Sequence, residues 1–410
     1  MATFETSLKS RLIYVFAIPD EWHKDCLKVG ETTLEEDDGN FPLPNSEVLN
    51  KAACDRIDQY TKTAGIAYNL LHTEMTVFFK GGTISSFNDK QVHSVLERSG
   101  VKKKTFDTVK GANEWFCCDL ETVKKAIHAV KNGRNSLNAS DISYTQTPII
   151  FRPEQQAAID KTKKQFKKGA QMLWNAKMRF GKTLCALRVA RDLEMRRTII
   201  LTHRPVVDES WFEDFGKIFY DRTDYHYGSR TKGEDFTSLE RLAKKGDRYV
   251  YFASMQDMRG AQLVGGKFDK NNEVFSTDWD FLIVDEAHEG TRTELGESVI
   301  KELTKANTKV LKLSGTPFNL LDDYTEEETY TWDYTMEQRA KTEWDLLHMG
   351  DPNPYASLPA INIYTYDLGA LMNDYSEDEK AFNFREFFRT KDDGMFIHEN
   401  DVDNFLSLLC

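Results

Sequence analysis

The sequence predicts an α/β protein, a doubly wound parallel sheet preceded by a small α+β domain, and three observations carry that expectation. From about residue 170 onward, short apolar runs alternate with helical stretches, the pattern of parallel strands joined by crossover helices. Gly181-Lys182-Thr183 lies between one such run and a helical stretch, and a later apolar run ends in Asp285-Glu286. Residues 132–147, rich in Asn, Ser and Thr, separate this region from a first part of different pattern.

Taken in order, Arg11 to Phe16 reads as a buried strand and Leu27 to Gly30 as a shorter one. Glu35 to Pro44, acidic and carrying Gly39, Pro42 and Pro44, reads as a loop, after which Ser46 caps a helix running to about Thr63. Residues 88–99 and 119–132 read as helices capped by Asn88 and Asp119. Past the boundary, strands are expected at 171–176, 198–202, 249–254, 281–285 and 309–314, with a helix starting at Lys182. A last strand is expected at Ile361 to Tyr364. The division is residues 1–135, a linker at 136–150, a nucleotide-binding domain at 151–325, and an acidic segment at 326–410.

With 410 residues, 40% hydrophobic and 29% charged, the chain has room for two or three domains with real cores. Its longest apolar stretch, Leu12 to Ile18, is seven residues, against the roughly 20 needed to cross a bilayer, and the basic-then-apolar order of a signal peptide is missing. Six cysteines without a C-x-x-C pair fit a reducing, cytoplasmic setting. The net charge of −12 is unevenly spread: −1 over residues 1–135, +4 over 136–320 and −15 over 321–410. A phosphate backbone can therefore still be met by patches in the first two thirds.

Gly-Lys-Thr at a helix start is the chemistry of a phosphate-binding loop: free backbone N–H groups, the helix dipole, the Lys182 ammonium and the Thr183 hydroxyl, the last a ligand for Mg²⁺. Phe281-Leu282-Ile283-Val284-Asp285-Glu286-Ala287-His288 delivers two carboxylates to the strand edge where ligands sit in such sheets. There Asp285 suits Mg²⁺, and Glu286 suits polarising the water that attacks a γ-phosphate.

At these residues the sequence resembles the superfamily 2 helicases and translocases of restriction type, a RecA-like P-loop fold. Phe151-Arg152-Pro153-Glu154-Gln155-Gln156 resembles the adenine-reading segment, Ala176 to Thr183 the Walker A loop, and Asp285-Glu286-Ala287-His288 the Walker B segment. Thr202-His203-Arg204-Pro205 and Ser254-Met255-Gln256 resemble motifs that face DNA, and Ser314-Gly315-Thr316-Pro317 the motif that couples hydrolysis to domain movement. The resemblance implies ATP and Mg²⁺ as cofactors, with Arg152, Gln155, Gly181, Lys182, Thr183 and Asp285 binding them and Glu286 catalytic. It implies DNA as partner. Met178 and Arg179 stand where the family has Thr and Gly, so the loop is expected to take a different path. No segment of the Gln-x-x-Gly-Arg-x-x-Arg type follows, and Arg339, Arg385 and Arg389 lie in other contexts. The last 85 residues are read as the start of an incomplete second RecA-like domain, with a second chain completing the motor.

The first part resembles the divergent, phage-associated form of the GIY-YIG endonucleases. Ile13-Tyr14-Val15-Phe16 and Leu27-Lys28-Val29-Gly30-Glu31-Thr32 match its two motif strands, and Glu114-Trp115-Phe116 its closing pattern. The resemblance implies Tyr14 near the water nucleophile, Lys28 beside the scissile phosphate, Arg56 on the phosphorane, and Asp89, four residues before His93, as the metal carboxylate. Lys28 replaces tyrosine, Asp89 replaces glutamate, and Leu12 stands where glycine precedes the first motif. Together these expectations describe an ATP-dependent DNA translocase with a tethered metal-dependent endonuclease, of restriction or anti-phage type. The alternative is an ATP-gated DNA-binding or assembly module.

Overall fold

Strand β1 (Arg11–Ala17) lacks polar alternation because both its faces are buried. Leu12, Tyr14 and Phe16 pack on α1 (Glu47–Thr61) through Leu49, Ala53 and Ile57, while Ile13 and Val15 face α2 (Asp89–Arg98) and α3 (Leu120–Lys131). The computed structural model describes residues 10–34, 42–80, 82–106, 114–138, 141, 149–287, 294–317, 320–358, 384–391 and 394–409. Most of the expected loop before Ser46, most of the linker, His288 and the strand expected at Ile361 to Tyr364 lie outside them. The chain forms two units, Met1–Pro354 and Tyr355–Cys410.

An antiparallel sheet orders β1 between β2 (Leu27–Thr33) and β3 (Asn69–Met75), with the two-residue β6 (Trp115–Phe116) beyond β2. A separate hairpin joins β4 (Val77–Lys80) to β5 (Thr83–Ser86). Asn88 caps α2 with a reciprocal Gln91 bond, and Asp119 accepts from Thr122 N–H at the start of α3, both as expected. Ser46 precedes α1 without capping it; its hydroxyl is buried and makes no hydrogen bond.

The second sheet is parallel and has seven strands, in the order β13-β7-β12-β11-β8-β10-β9. The five expected strands are β7 (Gln171–Ala176), β8 (Arg197–Thr202), β10 (Arg248–Ser254), β11 (Phe281–Asp285) and β12 (Lys309–Ser314). Its two edges, β9 (Tyr225–Gly228) and β13 (Thr329–Trp332), are four residues each and were not foreseen.

Strand β13 corrects the expected boundary at residue 325. It pairs with β7, and Tyr330 and Trp332 pack on the same core as Trp174 and Phe180. The Tyr330 hydroxyl donates to Glu154 O at 2.7 Å, so the parallel domain extends past 325 and includes α11 (Tyr334–Leu347). In the second unit, α12 (Phe384–Phe387) and α13 (Glu399–Leu409) bury Phe387 and Val402 against Phe388 and Phe396.

Residues 132–138, expected to begin a tether, instead dock on the parallel domain. Asn135 and Ser136 donate their N–H groups to the buried Glu234 carboxylate at 2.9 and 3.2 Å, and Leu137 is buried. Arg98, at the end of α2, donates to the carbonyls of Gly233, Arg230, Ser229 and Lys232 at 2.6–3.3 Å. Short charge-assisted bonds of this kind contribute ~1.5–3 kcal/mol each. Arg98→Ala strips several carbonyls of their donor, so unfolding by urea should show a loss of about 2–4 kcal/mol, shared between the two domains. An unchanged midpoint would mean that solvent replaces the guanidinium without cost.

Candidate nucleotide site and a second polar cluster

The loop between β7 and α5 (Lys182–Asp192) is held by its apolar residue. Phe180 is fully buried against Trp174 and Tyr330, which leaves Met178 and Arg179 at the exposed rim. Gly181 has φ of 92°, a conformation that favours glycine, and a Cβ there would lie 2.6 Å from Gln155 Nε2 and push that amide from its bond to Phe180 O. Arg179 has φ of 63°. Arginine here takes the left-handed conformation open to glycine, at a cost of roughly 1–2 kcal/mol.

Lys182 Nζ donates to Ala176 O at 2.9 Å, across the mouth of the loop. Burial lowers the ammonium's pKa, against the opposing pull of Glu286 and Asp285, which places both carboxylates within electrostatic reach of Lys182. Asp285 moves the other way. Burial raises its carboxyl, the Glu286 charge adds to that, and the Trp211 indole, donating to Oδ2 at 3.3 Å, partly offsets it. Glu286 sits at φ of 49°, a conformation rare outside glycine, and Ala287 N–H bonds Leu313 O on β12 at 2.9 Å. Gly315, just beyond β12, is close enough that a Cβ would meet Lys182 Nζ at 3.8 Å. The ends of β7, β11 and β12 thus bring Lys182, Asp285, Glu286 and the Ser314-Gly315-Thr316 turn to one sheet edge, with Thr183 half-buried in the first turn of α5.

This donor set fits MgATP. A helix N-terminus with a lysine offers charge to phosphates, and a buried carboxylate pushed towards its neutral form is relieved by a divalent cation. Asp285 and Thr183 would hold Mg²⁺, Lys182 the outer phosphates, and Glu286 the attacking water. Gln155 and Arg152 both reach the loop that precedes α5. Gln155 Nε2 and Arg152 Nη2 both donate to Phe180 O, at 2.6 and 3.0 Å, while Gln155 Oε1 accepts from Arg152 N–H. Here the pair braces the loop.

Two contacts of this loop and its neighbours are invisible in the motifs. Lys177 pairs with the fully buried Glu337 of α11 and lies 5.2 Å from the Tyr334 ring. Trp211, on α6 (Asp208–Phe219), joins the helix after Thr202-His203-Arg204-Pro205 to Asp285. The exposed side chains of Arg204 and Gln256 lie beyond the ends of β8 and β10.

The antiparallel domain carries the second cluster. Tyr14 is buried on β1 with its hydroxyl against Gly30, where a Cβ would lie 2.7 Å away. Lys28 Nζ pairs with Glu114 at 3.0 Å and lies 5.0 Å from the Tyr60 ring. Burial raises the Tyr60 phenol, its hydrogen bond with Tyr14 adds to this, and the Arg56 charge opposes it. Arg56 is exposed and donates to Gln59 Oε1 at 2.8 Å, on the rim of an 840 Å³ groove that also includes Arg11, Glu31 and Lys51. Asp89 N–H donates to Glu31 Oε2 at 3.3 Å, and the Asp89 carboxyl is raised by burial, then by the Glu31 charge. His93 is turned to Val29 O at 2.9 Å. Among the described residues no group of three or more His, Cys, Asp or Glu is arranged to hold a metal, so Asp89 brings no preformed cage. Tyr60 and Glu31 escaped sequence reading, though Tyr60 lies four residues after Arg56 on the same helix face. Lys103, in the lysine run 102–104, is committed to Glu97 at 2.6 Å.

Residues 148–319 match the family described as Type III restriction enzyme, res subunit. That stretch is a restriction-type, helicase-like domain and holds six of the seven strands of the parallel sheet, which has the RecA-like α/β fold. A Mycoplasma pneumoniae protein, provisionally described as type II restriction enzyme and methyltransferase RM.MpnORF110P C-terminus, is 25% identical over 324 residues. The match covers 63% of this chain and 44% of that protein, so the chain spans less than half of this relative's length. Among solved structures, the SWI2/SNF2 ATPase core of Sulfolobus solfataricus in complex with dsDNA aligns with a TM-score of 0.33 and 16% identity, over 45% of this chain and 37% of that one. The UvsW helicase of bacteriophage T4 aligns with a TM-score of 0.33 and 14% identity, over 52% and 77%. No helix among the described residues is long and apolar enough to cross a membrane.

Proposed function

We propose that the chain is an ATP-dependent DNA translocase component of restriction type, whose N-terminal domain is a metal-dependent DNA endonuclease. The observation that carries the first half is the convergence of Lys182, Asp285 and Glu286 on one sheet edge inside the stretch that matches the restriction family. Trp211 supports a link to DNA: it ties the Walker B aspartate to the helix after the segment that would grip the backbone, so movement of one strains the other. Support for the second half is local, from Tyr14, Tyr60, Lys28, Glu114 and Asp89 gathered about β1 and β2 with Arg56 at the rim of the adjoining groove. The same reading includes work in the cytoplasm and a second chain that completes the motor.

The test is a coupling measurement. The 410-residue chain should bind MgATP and hydrolyse it roughly 10³–10⁵ times more slowly than motors with an arginine finger. Duplex DNA should change its ATP affinity roughly tenfold, and ATP its DNA affinity by the same factor. Tight ATP binding indifferent to DNA would leave a nucleotide-gated assembly module as the better reading. Brisk DNA-stimulated turnover by the pure chain would place a finger within it.

A further inference from the structure

We infer that Cys26 and Cys117 form a reversible dithiol–disulfide site, closed by a peroxide or by a low-molecular-weight disulfide. Their sulfurs are 3.2 Å apart although 91 residues separate them in the chain. The strand register explains why. Strands β2 and β6 pair Leu27 with Phe116 and Lys28 with Trp115, and one step outward Cys26 faces Cys117. Val29 N–H bonds Glu114 O at 3.2 Å, whereas Cys117 N–H turns away to Lys102 O at 2.8 Å. Cys26 and Cys117 therefore occupy a non-hydrogen-bonded pair, the closely spaced type at about 4.5 Å between Cα atoms, which lies within the disulfide range. Forming the bond needs the sulfurs to close by about 1.2 Å, a side-chain rotation on a backbone already in place.

The two thiols have unequal surroundings. Cys26 is buried and its Sγ lies 3.3 Å from Lys24 O, positioned to donate, while Cys117 is exposed. Burial, then the Cys117 neighbour, pushes the Cys26 thiol up to about 11. Oxidant thus meets Cys117 first. With hydrogen peroxide the Cys117 thiolate attacks one oxygen, the O–O bond breaks, and a sulfenic acid and hydroxide result. Cys26 sulfur then displaces the sulfenic oxygen, which leaves as water with the Cys26 proton. In total two thiols lose two electrons and two protons, and one peroxide becomes two waters. With glutathione disulfide, Cys117 forms the mixed disulfide and Cys26 releases the second glutathione thiol. Because Lys28 and Glu114 lie on the same strand pair, closure also pins the two residues whose ion pair borders the polar cluster.

The test uses the full chain and does not depend on nuclease activity. After graded hydrogen peroxide or glutathione disulfide, free thiols are alkylated and non-reducing peptide mapping is read by mass spectrometry. The expected product is a crosslink between the peptides holding residues 26 and 117, reversed by dithiothreitol, lost in Cys26→Ser and Cys117→Ser, and kept in Cys118→Ser. Sulfinic acid or a stable glutathione adduct at Cys117 without the crosslink would overturn the proposal. A Cys117–Cys118 ring as the main product would overturn it equally.

Discussion

Replacing Lys182 by alanine should lower MgATP affinity roughly 10²–10⁴-fold, the equivalent of two charge-assisted bonds at ~1.5–3 kcal/mol each, with the fold unchanged. The side chain's bond in this structure is to Ala176 O across the mouth of the loop, so little of the core depends on it. Glu286→Gln should separate binding from chemistry. It keeps the shape at φ of 49° and removes only the charge, so ATP should bind as before while single-turnover hydrolysis falls by orders of magnitude. Loss of that charge also relieves Asp285, whose carboxyl is raised partly by Glu286, so Mg²⁺ should be held at least as tightly. Calorimetric titration of both variants decides it. Undiminished ATP affinity in Lys182→Ala would remove the phosphate-binding assignment, and a Glu286→Gln chain that bound no ATP would give Glu286 a different role.

Cutting by the 410-residue chain should fall with Arg56→Ala by roughly 10²–10³ in rate if its guanidinium neutralises developing phosphorane charge. Arg56 is well suited to this test because it is exposed and its bond is to Gln59 on the same helix, so stability should scarcely change. Asp89→Ala should abolish both cleavage and metal binding, and chelator should reproduce its effect on the wild-type chain. The Asp89 carboxyl is raised by burial and by Glu31, and metal needs the ionised form. Cleavage should therefore fade on acidification at a higher pH than an ordinary aspartate would give, and Glu31→Gln should move that fade to lower pH. Asp89→Glu restores the carboxylate length of the endonuclease pattern and should keep or raise activity. A wild-type chain with no metal-dependent cleavage of single-stranded, duplex or branched DNA, and no metal binding, would make this domain a DNA-binding relative without chemistry.

What could be read in the chain was whatever is local and repeated. The five inner strands of the parallel sheet are buried on both faces and appear as short apolar runs, and caps such as Asn88 and Asp119 act within three residues of themselves. Gly181-Lys182-Thr183 and Asp285-Glu286 are legible because phosphate and Mg²⁺ demand particular groups at a helix start and a strand end. Edge strands escaped: Tyr225–Gly228 and Thr329–Trp332 are four residues long, and only their neighbours make them strands. Strand β3 escaped for a related reason, since His72, Thr73 and Glu74 hide a strand that pairing with β1 stabilises.

The remaining features depend on residues distant in sequence, and no motif encodes them. The Trp211 bond to Asp285 spans 74 residues, the Lys177 pair with Glu337 spans 160, and Arg98 meets Gly233 across 135. A stretch of Asn, Ser and Thr reads as a tether because its side chains can satisfy the backbone in water. Here the backbone N–H groups of Asn135 and Ser136 bond Glu234 instead, and the Asn135 side-chain amide bonds Asp235. Sequence alone determined which groups are available for phosphate, metal and water, because their chemistry is intrinsic to each side chain. Tertiary structure decided which of them share a charge environment, as Lys182 does with Glu286 and Asp89 with Glu31, because electrostatic and hydrogen-bond energies depend on distances that only packing sets.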